Sequence, residues 1–185
     1  MLTRRFLYLT TGLFLFAGGT AGAQEPGKAG LTMGFPGSIG VLWHATDTVA
    51  IRPDFTFARS TLDAPASSST WSFGTNISAL FYMRKYENVR TYFSPRFSYS
   101  RTSSTLSVSS PTQPVFADQT TTTSATGGAG LFGAQYSPAA RFSVFGEAGL
   151  SFSHRATGPL LNNTSIKVKG NGWGTTAGVG VVFYF

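Results

Sequence analysis

"GNGWGTTAGVGVVFYF" (residues 170–185) decides how the rest of the chain is read. Its odd positions are Trp173, Thr175, Ala177, Val179, Val181, Phe183 and Phe185; its even positions are Gly172, Gly174, Thr176, Gly178, Gly180, Val182 and Tyr184. Alternation of period two marks a β-strand with unlike faces. One face runs aromatic, small or aliphatic, then aromatic again, while the other is mostly glycine. Chain ends are usually frayed and polar. A segment that closes on "VVFYF" has something apolar to face.

The pattern recurs upstream. In "RFSVFGEAGLSFSH", Phe142, Val144, Ala148, Leu150 and Phe152 oppose Ser143, Glu147, Ser151 and Ser153. In "TWSFGTNISALFYM", Trp71, Phe73, Ile77, Phe81 and Met83 oppose Ser72, Asn76, Ser78 and Tyr82. "VRTYFSPRFSY" sets Val89, Phe93 and Phe97 against Arg90, Arg96 and Ser98, and "TVAIRPDFTFA" sets Ile51, Phe55 and Phe57 against Arg52, Asp54 and Thr56. Eight strands are expected, near 30–35, 38–45, 48–58, 70–84, 89–101, 124–136, 141–154 and 169–185. The sixth is too glycine-rich for its faces to be distinguished. The first, about six residues, either begins earlier, near Lys28, or marks a lower part of the structure. Pro53 and Pro95 fall mid-strand, where a missing N–H predicts bulges or water from the interior.

Tight turns are expected at 45–48, 85–88 and 137–140, with a further short reversal at 36–38. Between them lie Ser/Thr-rich stretches, 59–70, 102–123 and 155–166, read as long solvated loops. Short turns on one side, longer loops on the other and an even strand count are the bookkeeping of an antiparallel up-and-down transmembrane β-barrel.

The chain's 185 residues bound it to one domain. It opens with Arg4 and Arg5, continues through "FLYLTTGLFLF" and reaches Ala21-Gly22-Ala23. This is a secretory signal layout, expected to be cleaved after Ala23; "TRRFL" also weakly matches a twin-arginine signal, although paired arginines are common in basic leaders. Residues 24–185 are then the barrel domain, and formal charge falls from +7 to +5 with the leader. There is no cysteine, hence no disulfide or thiolate chemistry. Basic residues are scattered, so nucleic acid is not an expected partner.

A soluble barrel such as a lipocalin turns its apolar face inward, whereas a membrane barrel turns it outward. Aromatics collect at both ends of the apolar faces: Trp71, Phe73, Phe152 and Trp173 toward the loop end, Trp43, Phe81, Phe142 and Phe183 toward the turn end. Two girdles suit two membrane interfaces, and the polar faces lack the Lys/Glu coat of a soluble surface. The chain resembles the small outer-membrane β-barrels of the OmpA-barrel, OmpX and opacity-protein type, its most specific match being the terminal pattern Val179, Val181, Phe183, Phe185. The resemblance implies export to the outer membrane of a Gram-negative bacterium, contact with outer-membrane lipid and lipopolysaccharide, and reading of that terminal segment by the barrel-assembly machinery. The peptidoglycan-binding domain that follows the OmpA barrel has no counterpart here, and its role is not expected.

Inward charges are expected at Arg52, Asp54, Arg90, Arg96 and Glu147, with Asp54, Arg96 and Glu147 at similar heights, so that pairing would plug a narrow lumen. The leading function is structural and surface-presenting, with extracellular ligands, if any, at the three loops; the alternative is a small-solute or ion pore gated by the same charges. A lipid hydrolase would need Ser, His and an acid together. His154 lies on the opposite face from Ser151, Ser153 and Glu147, and His44 is expected near the inner rim, so no enzyme, metal site or cofactor is expected.

Overall fold

The computed structural model describes residues 28–62, 66–108, 119–158 and 168–185. The expected leader (1–23) and the central parts of the three expected loops (63–65, 109–118 and 159–167) lie outside the described residues. The described chain forms eight strands: β1 (Ala29–Phe35), β2 (Ser38–His44), β3 (Val49–Leu62), β4 (Ala66–Tyr86), β5 (Val89–Val108), β6 (Gln119–Ala139), β7 (Phe142–Gly158) and β8 (Val168–Tyr184). Each pairs antiparallel with its sequence neighbours, and β8 returns to β1, closing the barrel.

The parity read from the sequence is the parity of the wall. Val182 and Tyr184 are buried inside, while Val179, Phe183 and Phe185 face outward. Short connections fall where expected, and Gly37 takes a positive φ of 57° in the β1–β2 reversal, a conformation glycine adopts without a Cβ penalty. The sixth strand also acquires faces: Leu131 and Gln135 lie inside, Phe132 and Tyr136 outside.

One expectation is corrected, and two sets of alternatives are narrowed. The described parts of the Ser/Thr-rich stretches are strand. β4 and β5 stay in register to Ala66↔Val108, and β5 and β6 to Leu106↔Gln119. Hydroxyl pairs lace this extension, including Thr70–Ser104 at 2.9 Å, Thr105–Thr120 at 3.0 Å and Thr123–Thr157 at 3.0 Å. Threonine favours strands, and cross-strand hydroxyl bonds stabilise them, so a composition that reads as solvated loop is a polar sheet. Next, the prolines cause no bulge. The ladder lapses between β2 and β3 around Pro53, and between β4 and β5 around Pro95, with unchanged register on either side. The register shifts fall instead at Tyr82/Arg84 and Tyr136/Ala139. Finally, the first strand begins at Ala29 and spans only seven residues, as does β2. The wall is simply low there.

Strand pairing on both sides of Arg101, with Phe73 and Ser124, gives an expected outcome. The folded protein resists trypsin at Arg101 under conditions that cleave the boiled chain there. Equal cleavage rates would mean that the Ser/Thr extension is not sheet.

Candidate functional site: the lumen

The lower lumen is filled in two tiers. At the turn end, Tyr82 donates to Gln135 Oε1 (2.8 Å) and Gln135 Nε2 donates to the Tyr184 hydroxyl (2.7 Å), which lies 3.3 Å from His44 Nε2. His44 stacks on Tyr82 at 5.6 Å, and Tyr82 meets Tyr92 edge-on at 5.7 Å. Leu42, Ala50, Leu80, Phe145 and Val182 pack among these rings as one buried cluster. The lower interior is thus more apolar than the polar lumen read from the sequence.

Above this tier, four charges converge. Arg52 Nη2 donates to both Glu147 oxygens (2.8 and 2.9 Å), and Arg52 Nε donates to Asp54 Oδ2 (3.2 Å). Arg96 Nη2 pairs with Glu147, while its Nε donates to Ser78 Oγ (3.0 Å). Thr32 donates to Asp54 (3.2 Å), and the Tyr92 hydroxyl donates to Glu147 Oε2 (3.2 Å). The Arg52 guanidinium also lies 4.6 Å from the Phe145 ring centre, a cation–π contact. Two cations and two anions cancel, and most of their hydrogen-bonding positions are filled. A buried charged cluster is tolerated on those terms.

Of the five charges expected inside, Arg52, Asp54, Arg96 and Glu147 meet. Arg90 does not; its guanidinium lies 5.7 Å from the Tyr82 ring centre. The reason is spacing, since six residues of strand separate it from Arg96 by about 20 Å. The parts that the sequence reading missed are the His44–Tyr184–Gln135–Tyr82 chain and the leucine layer. Parity gave part of the signal, because Leu42, His44, Leu80 and Val182 share the inward positions of their strands, but it did not bring them to one level.

Glycines make room for this packing. A Cβ at Gly133 would fall within the Tyr92 ring, and one at Gly180 would strike the Phe145 ring and the Met33 carbonyl. The glycine face of the last strand is therefore the wall against which Phe145 lies.

On the outer face, Trp43, Trp71, Phe73, Phe81, Trp173 and Phe183 are all exposed. Phe142 packs at a tilt against Phe183, ring centres 5.3 Å apart, and Phe152 against Trp173 at 4.9 Å. The band between the girdles also carries Phe55, Phe97 and Phe132, so it is less purely aliphatic than the alternation suggested. His154 sits on this outer face, 2.6 Å from Asn171 Oδ1, across the wall from Ser151 and Ser153. Among the described residues, no group of His, Asp and Glu could hold a metal ion.

Solved structures share this architecture. A major outer membrane protein from Thermus thermophilus superposes with a TM-score of 0.54 over 87% of this chain and 100% of its own, at 13% identity. The fold is that of a small outer-membrane β-barrel. Ail, the attachment invasion locus protein of Yersinia pestis, matches over 87% of this chain and 100% of its own at 14% identity and a TM-score of 0.44. CarO of Acinetobacter baumannii covers 87% of this chain and 98% of its own at 12% identity and a TM-score of 0.42. No protein-family model matches the sequence, and no curated protein matches it. An outward apolar band is the feature by which this fold meets a bilayer.

Proposed function

We propose that the protein is an integral outer-membrane barrel with a closed lumen, and that its role is structural and surface-presenting rather than catalytic. The observation that carries this reading is the Arg52–Asp54–Arg96–Glu147 cluster resting on the Leu42/Leu80/Val182 layer. Charge pairing above and apolar packing below support a lumen closed at that level. The strands supply what is presented. At about 3.3 Å per residue and a tilt near 40°, a 20-residue strand rises about 50 Å, roughly twice the apolar band of about 25 Å. The surplus of β4, β5 and β6 stands outside the cell as a hydroxyl-rich sheet, and any extracellular ligand would meet that sheet and the segments it carries. Leader cleavage after Ala23, assembly through Val179, Val181, Phe183 and Phe185, and a surrounding of outer-membrane lipid and lipopolysaccharide belong to the same reading.

The second reading, a gated pore, is favoured by one detail. The Arg96 side chain keeps 18% exposure, against 3% for Arg52 and Glu147. Conductance in a planar bilayer separates the two. The closed barrel is silent as wild type and as Arg96→Ala, in samples shown to be folded by their altered migration when unboiled. Discrete wild-type openings that grow in Arg96→Ala would establish the pore instead.

A further inference from the structure

The low β1–β2 hairpin breaks the wall. β8 pairs with β1 only from Tyr184 up to Val179, so Val168–Gly178 is bonded to β7 alone. On the other side, β3 pairs with β2 only as far as Phe55, and beyond it with β4 alone. Among the described residues no ladder joins β3 to β8 above the hairpin. Seven residues rise only about 18 Å at the usual tilt, short of the apolar band of about 25 Å. Among the described residues, a notch of about 14 Å between strand axes, the span of three strand spacings, is thus left above the hairpin at the depth of the outer half of the bilayer.

Hydrocarbon does not tolerate an open sheet edge; unpaired backbone at membrane depth survives where it lines a water-filled cavity. The edge is chemically suited to water. It carries Gly170, Asn171, Gly172, Gly174 and Thr176, and all but Thr176 are exposed. The lumen behind it is small and polar, with Asn76, Ser98 and Ser151 on inward positions at similar height. Outside, the notch is framed by Phe35 and Phe57, 75% and 71% exposed, and by Trp173 at 81%. Below lies the charge cluster, in which Arg96 keeps the most exposure.

We propose that the upper lumen is a lipid-head site entered sideways: the phosphate-bearing head of a membrane lipid passes through the notch while its chains remain in the bilayer. Polar walls and the Arg96 guanidinium receive the head, and the apolar frame keeps the chains outside. This inference rests on the outer-membrane reading and goes beyond it, because it gives the closed barrel a ligand of its own.

The test uses single-cysteine variants, which are clean because the chain has no cysteine. Thr176→Cys reports the lumen beside the notch, Ser98→Cys the lumen on the far wall, and Thr175→Cys the outer face. Each is labelled with a fluorophore, folded into phosphatidylcholine vesicles and challenged with phospholipid bearing a nitroxide contact quencher on its head group. The expected result is that the Thr176 and Ser98 labels both lose most of their emission, since both line the lumen that receives the head. Thr176 and Ser98 labels that both keep their emission, with Thr175 quenched by nitroxide placed on the acyl chain, overturn the lipid-head site and leave the membrane barrel standing. A Thr175 label untouched by acyl-chain nitroxide overturns the membrane reading itself. As a second arm, lengthening β1 and β2 by two alternating residues each, in the Thr176→Cys background, narrows the notch and restores emission if lipid enters there. Unchanged quenching would mean that the head arrives by another route.

Discussion

Glu147→Ala is expected to cost the folded barrel about 3–5 kcal/mol, the usual penalty for breaking a buried ion pair by removing one partner. Glu147 is the hub of the cluster. It accepts two bonds from Arg52, one from Arg96 and one from the Tyr92 hydroxyl. Removing it leaves two guanidinium groups sharing Asp54, with a side-chain exposure of only 3% at Arg52. The check is a urea titration in vesicles, following the gel shift between folded and boiled protein. A companion variant separates charge from packing. Arg52→Met with Glu147→Leu removes one charge of each sign and leaves Asp54 facing Arg96. Buried pairs replaced by well-packed apolar groups are often neutral in stability, so the double variant is expected closer to wild type than Glu147→Ala. A Glu147→Ala barrel as stable as wild type would mean that water already solvates these charges, and the closed-lumen reading would fall with it.

Gly133→Leu is the other large effect. The added side chain must occupy the space of the Tyr92 ring, which is fully buried, rests edge-on against Tyr82 and bonds to Glu147. Overpacking of this kind costs about 1–3 kcal/mol, and losing the Tyr92–Glu147 bond adds roughly another 1–2. Gly174→Ala is the control, since nothing lies within 4 Å of its Cβ position, and a change within about 0.5 kcal/mol is expected there. Equal urea midpoints for the two variants would show that the lower lumen yields to added volume and is not a packed layer.

Much of the site was legible in the order of residues along the strands. Asp54, Arg96 and Glu147 lie at inward positions roughly six to eight residues above their turns, and a narrow barrel leaves such groups little choice but each other. Arg52 followed by parity. Arg90 did not join them, because inward parity places a side chain in the lumen without fixing its height. The apolar layer beneath was harder to see. Leu42, Leu80, Phe145 and Val182 are scattered one to a strand among small and polar neighbours, and only the register sets them at one level.

Sequence alone determined the period-two faces, the eight strands and their short turns, because those follow from local alternation, and which face looks outward, because the placing of aromatics and charges along each face needs no knowledge of any partner. Tertiary structure decided where the strands stop and how they align. A threonine-rich stretch is loop or sheet according to whether a neighbour offers hydroxyls and a ladder, so β5 could run to Val108 only because β4 runs beside it to that end and β6 as far as Leu106. The short β1–β2 hairpin was visible in the chain, but its consequence was not. A notch exists only where two tall strands flank two low ones, and that is a property of pairing around a closed ring rather than of any one segment.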